Sequence, residues 1–397
     1  MSDMRHPSIL CIAGNDWWVH NPMPEKHWMR SFGERGSRVL YVNSIGIGMP
    51  ALSSPALGRR IAAKLTSLVR WVRRGAPGVW VLTPVVIPLW NVPVLRRLNV
   101  VLLTLQIRLL LALLGMRRPL FWAGLPTAAA VLDAVPHCGV VYYVQDNYTA
   151  YFDEMHATRT ADDHAQMLTA ADAIVVAGIA LGAELDAQYA NVHVVPHGVP
   201  ESFFAAATEM PPMPPRLAAL PRPIVGYWGS LDAVQDPVLI EQLARAHPEW
   251  SFVYIGRPRM DLSRFDTLPN VHFMGFVELD EIPAWGAHMD AFVMTFVQNE
   301  WIRYSCPVKL REYLALGRPI VAPDILEVSM LYADVARTTA TRSAFVHALE
   351  EEIAADTPER RVARRRRVAR WTWERTTDEI ARITMDVHVR QTAGEGR

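Results

Sequence analysis

Short apolar runs alternate with segments whose apolar positions recur at helical spacing along most of the chain. In the first half, the strand-like runs lie at 8–13, 38–43, 119–122, 139–144, 173–177 and 192–195. A second set lies at 224–228, 251–255, 271–274, 291–295 and 320–322. Strands that alternate with helices in this way build doubly wound, mostly parallel sheets. The pattern predicts an α/β fold with two similar doubly wound domains in series and a cleft between their strand ends.

Proline residues mark the boundary between the two sets. They cluster at 211–215 and again at 221 and 223, a composition typical of a semi-rigid segment with little helix or strand potential. We therefore predict a first domain at 1–200, a proline-rich linker at 201–222 and a second domain at 223–372. A C-terminal helix and tail at 373–397 is predicted to pack back on the first domain.

Length and cysteine content add limits to this picture. The 397 residues are 51% hydrophobic, enough for two cores of ordinary size. Cys11, Cys138 and Cys306 are scattered and odd in number, which argues against a disulfide framework and a zinc site and favours a reducing compartment. The polar start runs directly into the first strand, so we expect a cytoplasmic location.

The charge is balanced overall but unevenly distributed. Residues 1–198 carry 17 Lys and Arg against 13 Asp and Glu, whereas the remaining residues carry 23 against 27. No acidic residue occurs between Glu34 and Asp133, and 13 basic residues lie in that gap. A basic face of this kind favours an anionic partner, such as a lipid surface, a diphosphate carrier or nucleic acid.

Two basic segments with helical spacing bear on the choice among these partners. Residues 57–74 have the pattern of a basic amphipathic helix, and the Arg-rich run at 359–367 fits a solvated or lipid-facing helix. No aromatic stacking motif accompanies that run, so a nucleic-acid partner is not expected.

The apolar run at 98–115 is long enough to resemble a membrane span. Asn99, Gln106 and Arg108 interrupt it, and an arginine at mid-bilayer costs about 2.5–3.5 kcal/mol. A span is therefore disfavoured. A sheet-covering helix and a helix at the membrane interface both stay open.

Polar and aromatic residues follow the predicted strands, at the edge where ligands bind in open α/β sheets. Gly14 and Asn15 end the first strand, and Asp146 follows a later one. Asp146 fits either a ligand site or a cap of the next turn. Trp17 and Trp18 cannot both face one core, so at least one lines the cleft or packs locally on the loop. The spacing contains no GxGxxG, so a bound dinucleotide has no support.

Residues 305–322 read as a helix followed by a strand. Pro307 suits the first helical position, and Gly317 suits a left-handed stop. Ser305 and Lys309 lie beside the positive helix N-terminus, which favours a phosphate or diphosphate. Glu312, two turns along, is positioned to hold a ribose diol. Such helix-Gly-Pro-strand units are common in α/β proteins, so the pattern alone leaves a purely structural role open.

Several stretches in order along the chain resemble one family. They are HGV at 197–199, IVGYWGSLD at 224–232, FVYIG at 252–256, NVHFMGFV at 270–277, PVKLREYLALGRPIV at 307–321 and WE at 373–374. The chain resembles a GT-B glycosyltransferase with two Rossmann-like domains, of the retaining, nucleotide-sugar-using family four type. Within it, bacterial cell-surface polysaccharide transferases are the most similar. The first 130 residues match only in layout.

The resemblance implies a role for specific residues of the second domain. Gly229 would let the donor diphosphate approach the backbone, and Ser230 would hydrogen-bond it. Ser305 and Lys309 would bind the diphosphate, and Glu312 the ribose hydroxyls. The backbone at Met274 and Gly275 would border the nucleobase.

The resemblance also implies a sugar and acceptor side. Asp146 would contact the sugar or acceptor near the reacting carbon, while Gly14 and Asn15 would line the cleft. Many relatives have two glutamates with seven residues between them, and Glu312 corresponds to the second. Tyr304 occupies the position of the first glutamate here, and Glu300 and Asn299 lie close enough in sequence to substitute.

The function implied is transfer of a sugar, with retention of configuration, from a nucleotide-sugar to a lipid-linked or polysaccharide intermediate of cell-surface glycan synthesis. No cofactor or metal is expected, because the scheme needs none and no Asp-x-Asp motif occurs. We expect a peripheral protein on the inner face of the plasma membrane. The alternatives are a non-catalytic, membrane-associated partner of another transferase and a nucleotide-sugar epimerase of the same fold.

Overall fold

A parallel sheet organises the first part of the chain in the computed structural model, which describes residues 6–18, 24–44, 71–87, 92–148 and 154–394. The strands are β1 (Ile9–Ile12), β2 (Val39–Val42), β3 (Val72–Ala76), β4 (Val79–Leu82), β5 (Leu120–Ala123), β6 (Gly139–Val144), β7 (Ala173–Val176) and β8 (Val192–Val194). Their order is β3-β4-β2-β1-β5-β6-β7-β8. All pairs are parallel except β3 with β4, so the sheet has one antiparallel edge strand.

A second parallel sheet follows. It consists of β9 (Ile224–Trp228), β10 (Ser251–Ile255), β11 (Val271–Gly275), β12 (Ala291–Val293), β13 (Ile320–Pro323) and β14 (Arg337–Thr339). The order is β11-β10-β9-β12-β13-β14, with every pair parallel. This is the strand order of a Rossmann-type sheet. The α/β fold with two doubly wound domains is thereby confirmed.

Helices connect these strands. They are α1 (Pro24–Glu34), α2 (Pro93–Leu113), α3 (Ala129–Leu132), α4 (Glu154–Ala170), α5 (Ile179–Asp186), α6 (Glu201–Glu209), α7 (Pro215–Ala218), α8 (Pro237–Ala246), α9 (Ile282–Ala287), α10 (Glu300–Arg303), α11 (Val308–Leu316), α12 (Leu326–Leu331), α13 (Arg342–Ala354), α14 (Pro358–Val368) and α15 (Trp373–Gly394). Short 3-10 turns occur at Pro126–Ala128 and Ser263–Phe265.

The chain divides into two compact units. The first contains residues 1–177, 182–195 and 377–397, and the second contains 178–181 and 196–376. Most of α15 therefore belongs with the first sheet, as predicted for the C-terminal helix. Arg35 forms an ion pair of 2.6 Å with Asp378, and Gln391 donates to Asp172 across 2.6 Å.

The predicted linker at 201–222 needs correction. It begins with helix α6, and the short helix α7 follows the first prolines. Phe203 of α6 is fully buried and stacks on Trp228, with 5.9 Å between ring centroids. The segment is thus part of the second unit, because its aromatic residue fills the core beside β9.

The predicted basic helix at 57–74 is also wrong at its end. Residues 45–70 lie outside the described residues, but Val72–Ala76 forms the antiparallel edge strand β3. Arg74 pairs with Trp80 in the register of β4. The turn at residues 77–78 allows this hairpin. The helical spacing of the apolar residues before it does not predict a strand here.

The apolar run at 98–115 lies within helix α2, with one face buried around Leu103 and Ile107. Its interrupting amides bind the backbone after β4. Asn99 exchanges two hydrogen bonds of 2.7 Å with Ile87, and Gln106 exchanges two of 2.9 Å with Val85. The polar residues therefore fasten the chain to the helix. Among the described residues, no helix combines the length and apolar character needed to cross a membrane.

Candidate active site

The turn after β9 lies at the switch point of the second sheet, between strands that lead in opposite directions along the strand order. Gly229 has a φ of +140°, a conformation open to glycine alone at low cost. A Cβ at this position would lie 2.0 Å from Cε of Lys309. The glycine thus leaves room for the lysine side chain to cross directly over the turn.

Hydrogen bonds hold this turn in place. The carbonyl of Ser230 accepts from the Tyr227 hydroxyl at 3.1 Å and from the Gln235 amide at 3.3 Å. The amide of Gly229 donates to the carbonyl of Ile255 at 2.9 Å, which joins the ends of β9 and β10. The backbone next to Lys309 is therefore fixed before any ligand arrives.

Helix α11 begins beside the same turn. Pro307 is its N-cap residue, with a ψ of 119°, and not its first helical residue as predicted. Proline has no side-chain group to cap the helix, and the first turn contains no acidic residue. The first amides of a helix have no intrahelical partner and carry positive charge. Lys309 adds a cation at this end, so the location favours an anion.

Lys309 is half-buried above the ring of Tyr227, with Nζ 5.9 Å from the ring centroid. Burial lowers the pKa of its ammonium group, while the carboxylates of Glu312 and Asp232 oppose that change. A cation in a partly desolvated position interacts more strongly with an incoming anion than one in water.

Glu312 lies in the second turn of α11 and is buried. Its Oε2 accepts a hydrogen bond of 2.7 Å from the indole N–H of Trp228. Burial raises the pKa of the carboxyl, whereas the Trp228 hydrogen bond and Lys309 lower it. The indole orients one carboxyl oxygen, which leaves the other for a hydroxyl donor.

A buried network fastens the same helix from below. The guanidinium of Arg311 contacts Glu327 and lies 3.1 Å from the sulfur of Cys306, all three being buried. The other oxygen of Glu327 accepts from the amide of Ile179 at 2.9 Å. Burial raises the pKa of the Cys306 thiol to about 12, so it stays protonated. The network fixes the rotation of α11 and hence the direction of Lys309.

The predicted nucleobase edge lies at the end of β11. Gly275 has a φ of +73°, and a Cβ there would meet nothing within 4 Å. The carbonyl of Met274 accepts from Arg216 at 2.9 Å. Beside it, Arg257 stacks over the exposed ring of Phe276 at 4.3 Å from the centroid. The end of β11 thus offers a glycine with open space beside its Cα and an exposed aromatic ring.

The residues before α11 have local roles. The hydroxyl of Ser305 donates to the carbonyl of Ile302 at 2.7 Å, and its lone pairs remain able to accept. Tyr304 is half-buried at the end of α10. Asn299 caps α10 by accepting from the Ile302 amide at 2.8 Å, whereas Glu300 is exposed. Of the two suggested substitutes for a sugar-binding glutamate, Asn299 is engaged as a helix cap, whereas Glu300 presents an exposed carboxylate.

In the first unit, Gly14 and Asn15 follow β1 at the switch point between β1 and β5. The amide of Gly14 donates to Oε2 of Glu25 at 2.9 Å, and the Trp122 indole donates to Oε1 at 3.3 Å. Glu25 is fully buried, and burial raises the pKa of its carboxyl to about 7 against the opposing effect of these two hydrogen bonds. The sequence had given no reason to select it.

Asp146 lies after β6 on the same edge of this sheet and is half-buried. Two residues later, the hydroxyl of Tyr148 donates to the carbonyl of Gly124 at 3.2 Å. Gly124 follows β5 and lies against Gly14, whose Cβ would be 3.1 Å from that carbonyl. The first unit therefore brings Gly14, Asn15 and Asp146 to one edge.

The two tryptophans of the first loop divide as predicted. Trp17 is buried against Tyr41, with centroids 5.0 Å apart, and Trp18 is exposed under the guanidinium of Arg73. The three cysteines are buried, and none of them forms a disulfide bond. Within the described residues, no group of three or more His, Cys, Asp and Glu is arranged to hold a metal ion.

In the second unit, the structure assembles Gly229, Lys309 and Glu312 around one turn. Prediction from the motif missed three supporting side chains: Trp228, Tyr227 and Gln235, although all lie within or next to the quoted stretch at 224–232. Two of them, Tyr227 and Trp228, are the aromatic residues that end the apolar run at 224–228.

Residues 222–354 match the family described as Glycosyl transferases group 1. One curated relative is the putative teichuronic acid biosynthesis glycosyltransferase TuaH of Bacillus subtilis (strain 168), 25% identical over 174 residues. That alignment covers 42% of this chain and 44% of the relative, so the chain spans less than half the length of the curated protein it matches.

Solved structures match over almost the whole chain. Sucrose-phosphate synthase of Thermosynechococcus elongatus has a TM-score of 0.72 at 14% identity, covering 97% of this chain and 100% of that one. Anabaena HepE in complex with UDP and glucose has a TM-score of 0.63 at 15% identity, covering 95% and 99%. At these identities the likeness establishes the fold.

The protein therefore has the GT-B fold of two Rossmann-like domains. Its second domain carries the Glycosyl transferases group 1 match, which includes β9 to β14 and helix α11. The GT-B fold predicted from the quoted stretches is confirmed, and the family match lies within the predicted second domain.

Proposed function

We propose that the protein is a glycosyltransferase that takes its sugar from a nucleotide-sugar donor. The observation that carries this is the arrangement at the Gly229 turn, where the Lys309 side chain crosses a glycine and Glu312 lies three residues further along the same helix. A diphosphate fits an uncapped helix N-terminus with a lysine beside it. A ribose diol fits a buried carboxylate oriented by an indole.

The chemistry follows from where charge develops. Cleavage of the anomeric C–O bond leaves positive charge on the sugar and negative charge on the departing diphosphate. Lys309 and the first amides of α11 stabilise that leaving group, and they do so most strongly where water is excluded. Glu312 anchors the ribose and so fixes the diphosphate relative to Lys309.

We propose that transfer proceeds with retention and without a metal ion. The lysine and helix amides supply the charge stabilisation that a metal would otherwise provide. Asp146, at the ligand edge of the first sheet beside Gly14 and Asn15, is proposed to contact the sugar or acceptor. Ser230, Ser305 and the backbone at Met274 and Gly275 are proposed donor contacts. Tyr304 is proposed to border the sugar.

We propose a lipid-linked or glycan acceptor of cell-surface polysaccharide synthesis, and a site of action on the inner face of the plasma membrane. The support is the basic first half of the chain, which has 13 Lys and Arg and no acidic residue between Glu34 and Asp133. A basic face attracts both an anionic diphosphate carrier and an anionic lipid surface.

Calorimetry with UDP, GDP and dTDP tests the donor site. We expect Lys309→Ala and Glu312→Ala each to weaken binding of the preferred nucleotide by roughly ten- to a hundredfold, as expected for loss of a charge-assisted hydrogen bond. Glu351→Ala is the matched control, because this glutamate is two-thirds exposed in a surface ion pair with Arg337. Unchanged affinity in both site variants rejects the assignment.

Activity is tested separately with a panel of UDP-, GDP- and dTDP-sugars, scored for hydrolysis and transfer. Turnover that Asp146→Asn abolishes, with nucleotide affinity retained, supports the enzyme. Tight nucleotide-sugar binding without turnover toward any acceptor favours the non-catalytic partner instead. Interconversion of the donor sugar favours the epimerase.

A further inference from the structure

Helix α2 has a second apolar face, which is exposed. Of the fifteen exposed large apolar side chains among the described residues, seven lie at 92–113. Six of them form a stripe: Val94, Leu98, Val101, Leu105, Leu109 and Leu113, each between 44% and 72% exposed. They follow one another at steps of three and four residues, which places them on a single side of the helix.

The opposite side of α2 is the one that packs on its own unit. Asn99, Leu103, Ile107 and Leu110 are buried there. At 100° per residue, the side chain of the exposed Leu105 points about 160° away from the buried side chains of both Leu103 and Ile107. The exposed stripe therefore cannot serve the core of the first unit, although exposed apolar side chains usually occur singly.

Arginines accompany the stripe. Arg97 and Arg108 are exposed on one flank of it, and Arg117 is exposed just beyond the end of the helix. No acidic residue occurs anywhere in α2, nor in the sequence from Arg35 to Leu132. The charged side chains of α2 itself are all cations, and an apolar stripe flanked by arginines is complementary to a surface that is apolar inside and anionic outside.

We propose that this stripe, the α2 face, is a membrane-docking surface that lies in the headgroup region of an anionic bilayer. The six apolar side chains enter the boundary between headgroups and acyl chains, and Arg97 and Arg108 contact lipid phosphates. The inference rests on the membrane association proposed above and names the surface responsible. The helix lies in the plane of the bilayer, because its opposite face is occupied by its own unit.

The test is flotation of the full chain with vesicles of phosphatidylcholine containing phosphatidylglycerol, and with vesicles of phosphatidylcholine alone. Leu98→Gln, Leu105→Gln and Leu109→Gln are combined, since glutamine keeps helix propensity close to that of leucine. We expect the partition coefficient on anionic vesicles to fall by roughly tenfold or more. Arg97→Gln with Arg108→Gln should lower it by roughly fivefold for each arginine at low salt.

Matched variants separate this face from general surface changes. Val238→Gln, Met330→Gln and Val389→Gln remove three exposed apolar side chains elsewhere and should leave partitioning unchanged. Arg366→Gln is the charge control. Circular dichroism and the melting temperature verify folding, and nucleotide affinity by calorimetry reports the donor site independently. Loss of vesicle binding with retained nucleotide affinity supports the proposal.

Three results overturn it. The first is equal vesicle binding by the wild type and the leucine triple variant. The second is a wild type that stays in solution with anionic vesicles at low salt. The third is a wild-type dimer in sedimentation that the triple variant dissociates while neither protein binds vesicles, which would assign the α2 face to a second copy of the chain. None of these results alters the donor-site test, so the two proposals fail separately.

Discussion

Glu25 is a carboxyl group without solvent contact, and its two hydrogen bonds come from the Gly14 amide and the Trp122 indole. A Cβ on Gly124 would lie 1.8 Å from its Oε1, so only glycine fits there. The carboxyl thus joins the ends of β1 and β5. It positions the Gly14 turn, which the proposed acceptor side depends on.

The raised pKa of Glu25 predicts a pH dependence of stability. The native state holds the proton up to about pH 7, whereas an unfolded glutamate loses it near 4.5. The native state therefore binds more protons in this interval, and its stability falls as the pH rises from about 4.5 to 7, by about 3 kcal/mol in total at 1.36 kcal/mol per pH unit.

Urea denaturation between pH 5 and pH 7 tests this prediction. In Glu25→Gln, which cannot ionise, the free energy of unfolding should lose that downward trend. The variant has an offset at every pH, because the amide accepts only one of the two hydrogen bonds. Parallel pH profiles for the wild type and the variant would contradict the prediction. Glu184→Gln, an exposed glutamate in the same unit, is the control.

At the scale of elements, the arginine run of α14 has a different role from the one its sequence allowed. The sequence predicts a solvated or lipid-facing helix for this run. Arg360 pairs with Glu352 at 2.9 Å, Arg361 with Asp356 at 2.7 Å, and Arg367 lies 3.2 Å from Asp334. These charges are neutralised within the second unit, so a lipid-facing role for them is not supported.

Arg364 is the buried member of that run. Its guanidinium contacts Glu352 and Asp356, and it donates to the carbonyls of Val335 and Gly317. Gly317 is the left-handed C-cap of α11, as predicted, with a φ of +76°. A buried cation at the C-terminus of a helix is favourable for the helix dipole. Arg364 therefore ties α14 to the end of the proposed donor helix.

Arg364→Ala should lower the free energy of unfolding of the second unit by about 3–5 kcal/mol, because Glu352 and Asp356 lose their buried partner and keep only the partly exposed Arg360 and Arg361. The carbonyls of Val335 and Gly317 also lose a donor. Arg366→Ala, an exposed residue of the same helix, should change it by less than about 0.5 kcal/mol. Chemical denaturation measures both. Equal small effects in the two variants would show that the buried network adds little.

At the scale of the whole molecule, the C-terminal helix α15 returns the chain to the first unit. Ile380, Ile383 and Val387 are buried, and the Cβ of a substituted Gly139 would lie 2.9 Å from Val387. The last residues in sequence thus complete the core beside β6. The core of the first unit therefore includes side chains of α15.

Ile380→Ala and Val387→Ala should each destabilise the first unit by about 2–4 kcal/mol, through lost burial and the cavity left behind. Hydrogen exchange gives the distinguishing result. Protection should fall in β6 and β7 and remain in β9 and β10. Val389→Ala, on the exposed side of α15, should leave all four strands unchanged. Loss of protection confined to the second sheet would contradict this assignment.

Much of the donor site could be predicted, since its residues are close in sequence. The stretch at 305–322 fixes a helix, its left-handed stop and the following strand by local rules, and Lys309 and Glu312 share that helix. The support of the site could not be predicted in this way. Trp228 reaches Glu312 across 84 positions, and the Arg311 partner Glu327 lies beyond the next strand.

The sequence by itself determined the alternation of strands and helices, the two Rossmann-like domains and the donor motif, because hydrophobic period, capping residues and short motifs act over a few residues. Tertiary structure alone decided which polar groups are buried together. Glu25 acquires its raised pKa, and Arg364 its partners, from groups distant in sequence. It also decided which face of α2 is buried, since both faces are apolar and only packing distinguishes them.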